Sequence, residues 1–174
     1  MRIVLTALVL AASAATASGA DVPVRTCAER IEAGDAPLRF PGPSANRVLA
    51  GPLAFSGYFP RSPAALGPRN ANNRYATKVG ALLRAGAPVV LSVPPRHRGR
   101  LFLEYSRTGR DEPVVRLEPC PPSTPAFSYA GAVGAVTGFS GGFEVTQPAC
   151  YSLDVRHVGG RTYRVRLPLG RPCR

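Results

Sequence analysis

The sequence has few of the residues on which most enzyme chemistry depends. It holds ten acidic residues and two histidines, His97 and His157, and neither histidine has a cluster of carboxylates beside it. This pattern predicts surface histidines in loops rather than general bases or metal ligands. No phosphate-binding loop and no dinucleotide-binding glycine motif is present. The sequence therefore predicts no metal and no cofactor, and it favours a non-catalytic protein.

Amphipathic helical patterns and internal repeats are also almost absent. The densest helical candidate, residues 76–84, is short and contains Gly80. Instead, many short runs alternate between apolar and polar residues, and turns rich in the 18 glycines and 19 prolines separate them. Such a pattern predicts an all-β protein, and we expect an antiparallel β-sandwich of immunoglobulin-like architecture.

Beyond the first residues, no run is long and apolar enough to span a bilayer. At the start, Arg2 precedes a short apolar run, residues 3–12, and small residues continue to Ala20. This predicts a secretory signal peptide, residues 1–20, and one secreted β domain, residues 21–174. A membrane anchor is the alternative, which the short, Ala/Ser-rich run disfavours.

The four cysteines all follow the predicted signal peptide. They are Cys27, Cys120, Cys150 and Cys173. An even number in an exported chain predicts two disulfides, and the sequence leaves all three pairings open. No two cysteines have the close spacing of zinc ligands.

The last quarter of the chain predicts a closing β-hairpin. Residues 151–156 and 162–167 each alternate with a period of two, with the tyrosines and aliphatic residues on one face. Residues that face each other across the hairpin must share a face, so a three-residue loop at 158–160 is predicted, with Val155 opposite Tyr163. This register places Asp154 opposite Arg164. Pro168, Gly170 and Pro172 are predicted to end the last strand.

Earlier strands are predicted from shorter runs. Residues 38–40 read as a short edge strand, and residues 47–59 as one bulged strand interrupted at Gly51 and Pro52. Residues 60–73 hold three prolines and three asparagines, which predicts a loop.

The middle of the chain predicts two pairs of strands. Residues 75–83 form a strand that turns at 84–87 and returns as 88–93. Residues 101–106 then pair with the run around Val115, so that Leu103 lies opposite Leu117 and Glu104 opposite Arg116. Residues 129–140 predict a long loop, with a buried strand through 132–136 as the alternative, and residues 142–147 predict a strand with Phe143 and Val145 inward.

Several of these segments, taken in order, resemble a group of uncharacterised secreted bacterial proteins with paired cysteines. The segments that carry the resemblance are KVGALLRAG at 78–86, VLSVP at 90–94, RGR at 98–100, PCP at 119–121, FSGGF at 139–143, CYSL at 150–153 and LGRPC at 169–173. The resemblance spans about residues 75–173. It implies an exported β protein, and it transfers no functional site because no activity is assigned to the group.

A small secreted hydrolase is the enzymatic alternative. Residues 138–142 match G-x-S-x-G around Ser140, and Asp154 and His157 follow in the order seen in hydrolases. However, a nucleophile elbow needs a helix after the serine, whereas a strand is predicted here. Asp154 and His157 are three residues apart on one strand and therefore face opposite ways. A glycine turn before a strand is the favoured interpretation.

Basic residues offer the best candidate binding site. The net charge is +12, Lys78 is the only lysine, and arginine is the residue best suited to bind phosphate and carboxylate. One group fills a single loop, with Arg96, His97, Arg98 and Arg100. A second group decorates the closing hairpin and tail, with Arg161, Arg164, Arg166, Arg171 and Arg174.

The functional hypothesis is a surface that binds an extracellular polyanion or a cell-surface component. The alternative is dispersed charge that reflects codon composition and solubility. Sequence-specific nucleic-acid binding is not predicted, because no module signature is present. A protein-binding inhibitor or adaptor that uses the 60–73 loop is the third possibility.

Overall fold

The computed structural model describes residues 22–32, 34–105 and 111–174. Within these residues there are eleven strands and no α-helix. The strands are β1 (Val24–Arg25), β2 (Arg47–Ala50), β3 (Leu53–Gly57), β4 (Tyr75–Arg84), β5 (Val89–Ser92), β6 (Leu101–Leu103), β7 (Val114–Leu117), β8 (Val136–Phe139), β9 (Gly142–Val145), β10 (Ala149–His157) and β11 (Thr162–Leu169). The predicted signal peptide lies outside the described residues.

The described strands form two sheets that pack together. Sheet A has the order β1-β7-β5-β10-β11, and sheet B has the order β2-β3-β4-β9-β6, with β8 pairing β4 beyond the end of β9. All pairs are antiparallel except β1 with β7. The predicted all-β sandwich is therefore confirmed.

The core lies between the sheets and follows the alternation in the sequence. Sheet B contributes Val79 and Phe143, and sheet A contributes Leu153 and Val155, all fully buried. The rings of Phe55, Tyr105 and Phe143 contact one another with centroids 5.4–6.1 Å apart. Every second residue of a strand faces this core, so the remaining positions form the two outer faces of the sandwich.

The two predicted disulfides are confirmed, and the structure decides their pairing. Cys27 bonds Cys120, which joins the segment after β1 to the segment after β7. Cys150 bonds Cys173, which joins β10 to the tail after β11. Disulfides of this kind are typical of proteins that fold in an oxidising compartment.

The closing hairpin forms in the predicted register. Val155 lies opposite Tyr163 and Asp154 opposite Arg164, with β10 and β11 joined by the short turn around Gly159. The predicted end of the last strand was wrong, because Pro168 lies inside β11 opposite Cys150. A proline is tolerated there because β11 is the outer strand of sheet A and needs hydrogen bonds on one side only.

Two early predictions were wrong. Residues 47–59 form a hairpin of β2 and β3 rather than one bulged strand, because Gly51, with φ of 60°, supports a turn between them. Residues 38–40 form no strand. They cross the outer face of sheet B, where the Phe40 ring lies 3.9 Å from the Arg84 guanidinium.

The middle strands also have different partners from those predicted. β4 and β5 are not a hairpin, since β4 belongs to sheet B and already has β3 on one edge and β8 and β9 on the other. β6 pairs with β9 and places Leu103 opposite Phe143, so Leu103 does not face Leu117 and Glu104 does not face Arg116. Arg116 instead forms an ion pair with Glu118 (2.8 Å).

The segment before β9, residues 129–140, was predicted as a long loop, and in the structure it is a loop followed by a strand. The described chain is irregular from 129 to 135, apart from one bridge at Ala132, and β8 then occupies positions that were predicted as loop. β9 matches its prediction, with Phe143 and Val145 buried. The predicted loop at 60–73 is confirmed and contains one 3-10 turn, Pro63–Leu66.

Candidate functional site

The loop between β5 and β6 is the part of the chain where arginine is densest. Its backbone forms a 3-10 turn, Pro95–His97, which the Arg98 and Arg100 amides extend by donating to Pro95 (3.2 Å) and His97 (3.0 Å). Arg96, Arg98 and Arg100 are all exposed. Among the described residues, none of these three guanidiniums forms a close ion pair with a carboxylate, although the charge of Arg96 acts on Asp154 from a distance.

His97 holds this loop against the sandwich. Its ring contacts Tyr151 edge to face, with the centroids 5.2 Å apart. Its Nε2 accepts a hydrogen bond from Arg96 Nε (3.2 Å), which requires a neutral imidazole. Burial lowers the pKa of His97, and the charges of Arg96 and Arg100 lower it further. His97 therefore acts as a neutral support for Arg96 rather than as an additional cation.

The outer face of sheet A adjoins the loop and is also basic. Ser152, Asp154 and Arg156 point outward from β10, opposite Arg166, Arg164 and Thr162 of β11. Asp154 accepts two hydrogen bonds from Arg164 (2.7 and 3.0 Å). These bonds hold the pKa of Asp154 below its usual value, against the opposing effect of burial.

A hydrogen bond joins the loop to this face. Arg96 Nη2 donates to Ser152 Oγ at 2.8 Å, and Ser152 lies directly opposite Arg166. The two arginine groups that the sequence separates are therefore adjacent in space. We call the joint surface the basic face, and its members are Arg96, Arg98, Arg100, Arg156, Arg164 and Arg166.

Three other arginines of the closing hairpin lie at its ends. Arg161 is exposed in the turn after β10, and Arg171 and Arg174 are exposed in the tail after β11. Arg166 donates to the main-chain oxygen of Arg174, which keeps the tail beside the basic face.

The candidate hydrolase residues do not form one site in the structure. Ser140 lies between β8 and β9, opposite Gly80 in the register of sheet B, whereas His157 ends β10 in sheet A. Among the described residues no hydrogen bond joins them, and Asp154 binds Arg164 instead of His157. Ser140 is followed by a strand, so the arrangement gives no nucleophile elbow.

Sequence reasoning did not find a groove on the outer face of sheet B. It has a volume of about 540 Å³ and is lined by Lys78, Glu104, Ser140 and Glu144, among others. Lys78 lies on β4 and Glu144 on β9, whereas Glu104 follows β6 and Ser140 joins β8 to β9. Lys78 and Glu104 are far in sequence from each other and from the segment that holds Ser140 and Glu144. The one signal in the sequence was the run of small residues around Gly142, which leaves the floor of the groove open.

No group of three or more His, Cys, Asp or Glu residues in the described part of the chain is placed to hold a metal ion. No helix among the described residues is long and apolar enough to cross a membrane. Comparison with family models, with curated proteins and with solved structures gave no match.

Proposed function

We propose that this chain is an exported, non-catalytic β-sandwich that binds an extracellular polyanion through the basic face. The observation that carries the proposal is the hydrogen bond between Arg96 and Ser152, which adds the loop arginines to those of β10 and β11. The basic face holds six arginines, and Asp154, the carboxylate that lies among them on β10, is already occupied by Arg164.

The chemistry of arginine suits such a ligand. A guanidinium donates two parallel hydrogen bonds to a phosphate, a sulfate or a carboxylate, and such charge-assisted bonds are stronger than neutral ones. A strand of the sheet rises about 3.4 Å per residue, so outward positions recur about every 7 Å. Arginines at that spacing match the repeat of charges along a nucleic acid strand or an acidic polysaccharide better than they match one small anion.

The test is a salt titration of binding to two generic polyanions, heparin and single-stranded DNA. Replacing Arg96, Arg98 and Arg100 by Gln removes three charges from the loop. The slope of log affinity against log salt for single-stranded DNA should fall by about 2, because each lost phosphate contact removes about 0.7 from it.

A matched control removes three charges elsewhere. Arg39, Arg69 and Arg84 are exposed and do not belong to the basic face, so their replacement by Gln should leave the slope nearly unchanged. Equal losses for both triple variants would show that only net charge matters. Absence of binding at low salt would also refute the proposal.

A further inference from the structure

The groove on the outer face of sheet B is built around a glycine. Lys78 of β4 lies directly opposite Gly142 of β9. On the other edge of β9, the Glu104 amide donates to the Gly142 carbonyl at 3.0 Å. Lys78 and Glu104 therefore flank Gly142 on both sides, and because neighbouring strands lie about 4.8 Å apart, their Cα atoms are about 10 Å apart.

The floor between these two side chains carries almost no atoms beyond the backbone. Gly80 and Ala76 continue it along β4, and Ser140 lies beside Gly80 in the register of the sheet. Gly142 must be glycine, because a Cβ there would lie 2.0 Å from the Thr77 carbonyl oxygen. Ile31, which forms a bridge with Gly138, gives the groove an apolar end.

The neighbouring carboxylate, that of Glu144, already has hydrogen-bond partners within the protein. Its Oε1 accepts from Asn70 Nδ2 at 2.5 Å, and its Oε2 lies 3.3 Å from Arg74 Nη1. Arg74 also binds both oxygens of Asp111 and lies over the Phe102 ring at 3.5 Å. This hydrogen-bonded cluster forms one wall of the groove, and with two carboxylates to one guanidinium it keeps a net negative charge beside Glu104.

Glu104 differs from Glu144. No hydrogen bond or ion pair joins its carboxylate to any other described residue. Burial raises the pKa of Glu104, the charges of Glu144 and Asp111 raise it further, and Arg74 opposes them. Lys78 is exposed and likewise has no ion pair within the described part of the chain. A carboxylate and an ammonium group thus stand on opposite sides of an open floor without neutralising each other.

We propose that this groove binds a small zwitterion of the size of a short peptide, with its ammonium group at Glu104 and its carboxylate at Lys78. An extended dipeptide spans about 7 Å between its ends, and a hydrogen bond of about 3 Å at each end places the two anchoring groups about 13 Å apart. The side chains of Lys78 and Glu104 reach that separation by leaning away from each other, since their Cα atoms are about 10 Å apart. Ser140 supplies a hydroxyl to the peptide group, and the flat floor of Gly80 and Gly142 accepts its backbone.

The first test is calorimetric titration of the whole secreted chain with glycylglycine. N-acetylglycylglycine lacks the ammonium group and glycylglycinamide lacks the carboxylate, so each should bind at least about tenfold more weakly. Equal affinity for the three compounds, or no binding of glycylglycine at millimolar concentration, would overturn the proposal. Glucose binding with no glycylglycine binding would also overturn it and would indicate a neutral sugar site.

Variants of the two anchors give a second test. Glu104→Gln and Lys78→Gln should each weaken the binding of glycylglycine about tenfold or more. The double variant Lys78→Glu with Glu104→Lys exchanges the two charges, so it should bind glycylglycine again, with the ligand in the opposite orientation. Glu118→Gln, directly after β7 and away from the groove, is the matched control and should leave the affinity for glycylglycine unchanged. Failure of the exchange to restore any binding in a folded protein would contradict the charge pairing.

The floor gives a third test that leaves both charges in place. A Cβ at Gly80 would meet only the Ser56 and Phe139 carbonyl oxygens, at 3.6 and 3.8 Å, which is ordinary van der Waals contact, so the backbone there accepts a Cβ. Gly80→Val should therefore fold, fill the floor and abolish glycylglycine binding, with polyanion binding unchanged. Retained glycylglycine binding in this variant would place the ligand elsewhere.

Discussion

Ser152 accepts a hydrogen bond from Arg96 although 56 residues separate the two in the chain. The bond connects a loop between the sheets to the outer face of sheet A. It orients one guanidinium, and through the contact between Arg100 Nη2 and the Arg96 carbonyl (3.2 Å) it supports a second. The surface that results depends on a hydroxyl group that carries no charge itself.

Removal of that hydroxyl is the first prediction. Ser152→Ala should weaken binding to single-stranded DNA by about 2- to 10-fold at low salt, because one hydrogen bond that orients Arg96 is lost. The salt dependence should change little, since the charge is retained. Affinity measured by fluorescence anisotropy checks this. Ser56→Ala, on β3 of sheet B, is the control and should bind normally, whereas equal weakening in both variants would contradict the prediction.

The second prediction concerns His97. Its pKa in the folded protein should lie below the usual value of about 6.5, and Arg96→Gln should raise it by removing a nearby positive charge. Because the unfolded chain takes up this proton more readily, the contribution of His97 to stability is complete above about pH 6.5 and falls as the pH is lowered through that value. Titration of the imidazole signals by NMR, with His97→Gln for assignment, measures the pKa directly. A value above 6.5 in the native protein would contradict the structure.

Glu32 provides a prediction for lower pH. Burial acts to raise its pKa, but hydrogen bonds from Arg30, from both the amide and hydroxyl groups of Ser128, and from the Phe127 amide outweigh burial and lower the pKa to about 2. The unfolded carboxyl has the higher pKa, so Glu32 stabilises the fold above about pH 4.5 and this contribution is lost as the pH falls toward 2.

Denaturant unfolding of the native protein and of Glu32→Gln at several pH values checks this. The two free energies of unfolding should differ most at neutral pH and converge near pH 2. A constant difference between the native protein and Glu32→Gln would contradict the assignment.

The disulfides give the fourth prediction. Cys27 and Cys120 are 93 residues apart, and Cys150 and Cys173 are 23 apart. A longer closed loop restricts the unfolded chain more strongly, so replacing both cysteines of the first pair by Ala should cost about 4–5 kcal/mol and replacing both of the second pair about 3 kcal/mol. Urea unfolding of the two double variants measures the order. A larger loss for Cys150 and Cys173 would contradict it.

Much of the fold could be predicted where neighbouring residues interact with each other. The hairpin of β10 and β11 formed in its predicted register because one face had to be apolar on both strands. A three-residue loop at 158–160 met that condition, whereas a two-residue loop would have placed apolar residues opposite arginines. Strand partners that are distant in sequence could not be predicted. The alternation of apolar residues predicts that Leu103 faces inward, whichever strand lies beside it. Its partner is Phe143 rather than Leu117, because β5 and β1 already occupy both edges of β7.

The candidate sites divide in the same way. The loop arginines were recognisable because they lie next to one another, whereas their contact with Ser152 depends on how the loop folds over sheet A. The groove was missed because Lys78, Glu104 and Ser140 meet only through the pairing of β4, β9 and β6.

The sequence by itself determined the class of fold, the number of disulfides and the inward face of most strands, since each follows from composition or from a period of two along the chain. The tertiary structure alone decided the disulfide pairing and the assignment of β4 and β5 to different sheets. It also decided which charged side chains lie together, on the outer face of sheet A at the basic face and on the outer face of sheet B at the groove. The physical reason is that every strand exposes the same backbone donors and acceptors on its two edges. Its own residues therefore do not specify which distant strand will pair with each edge.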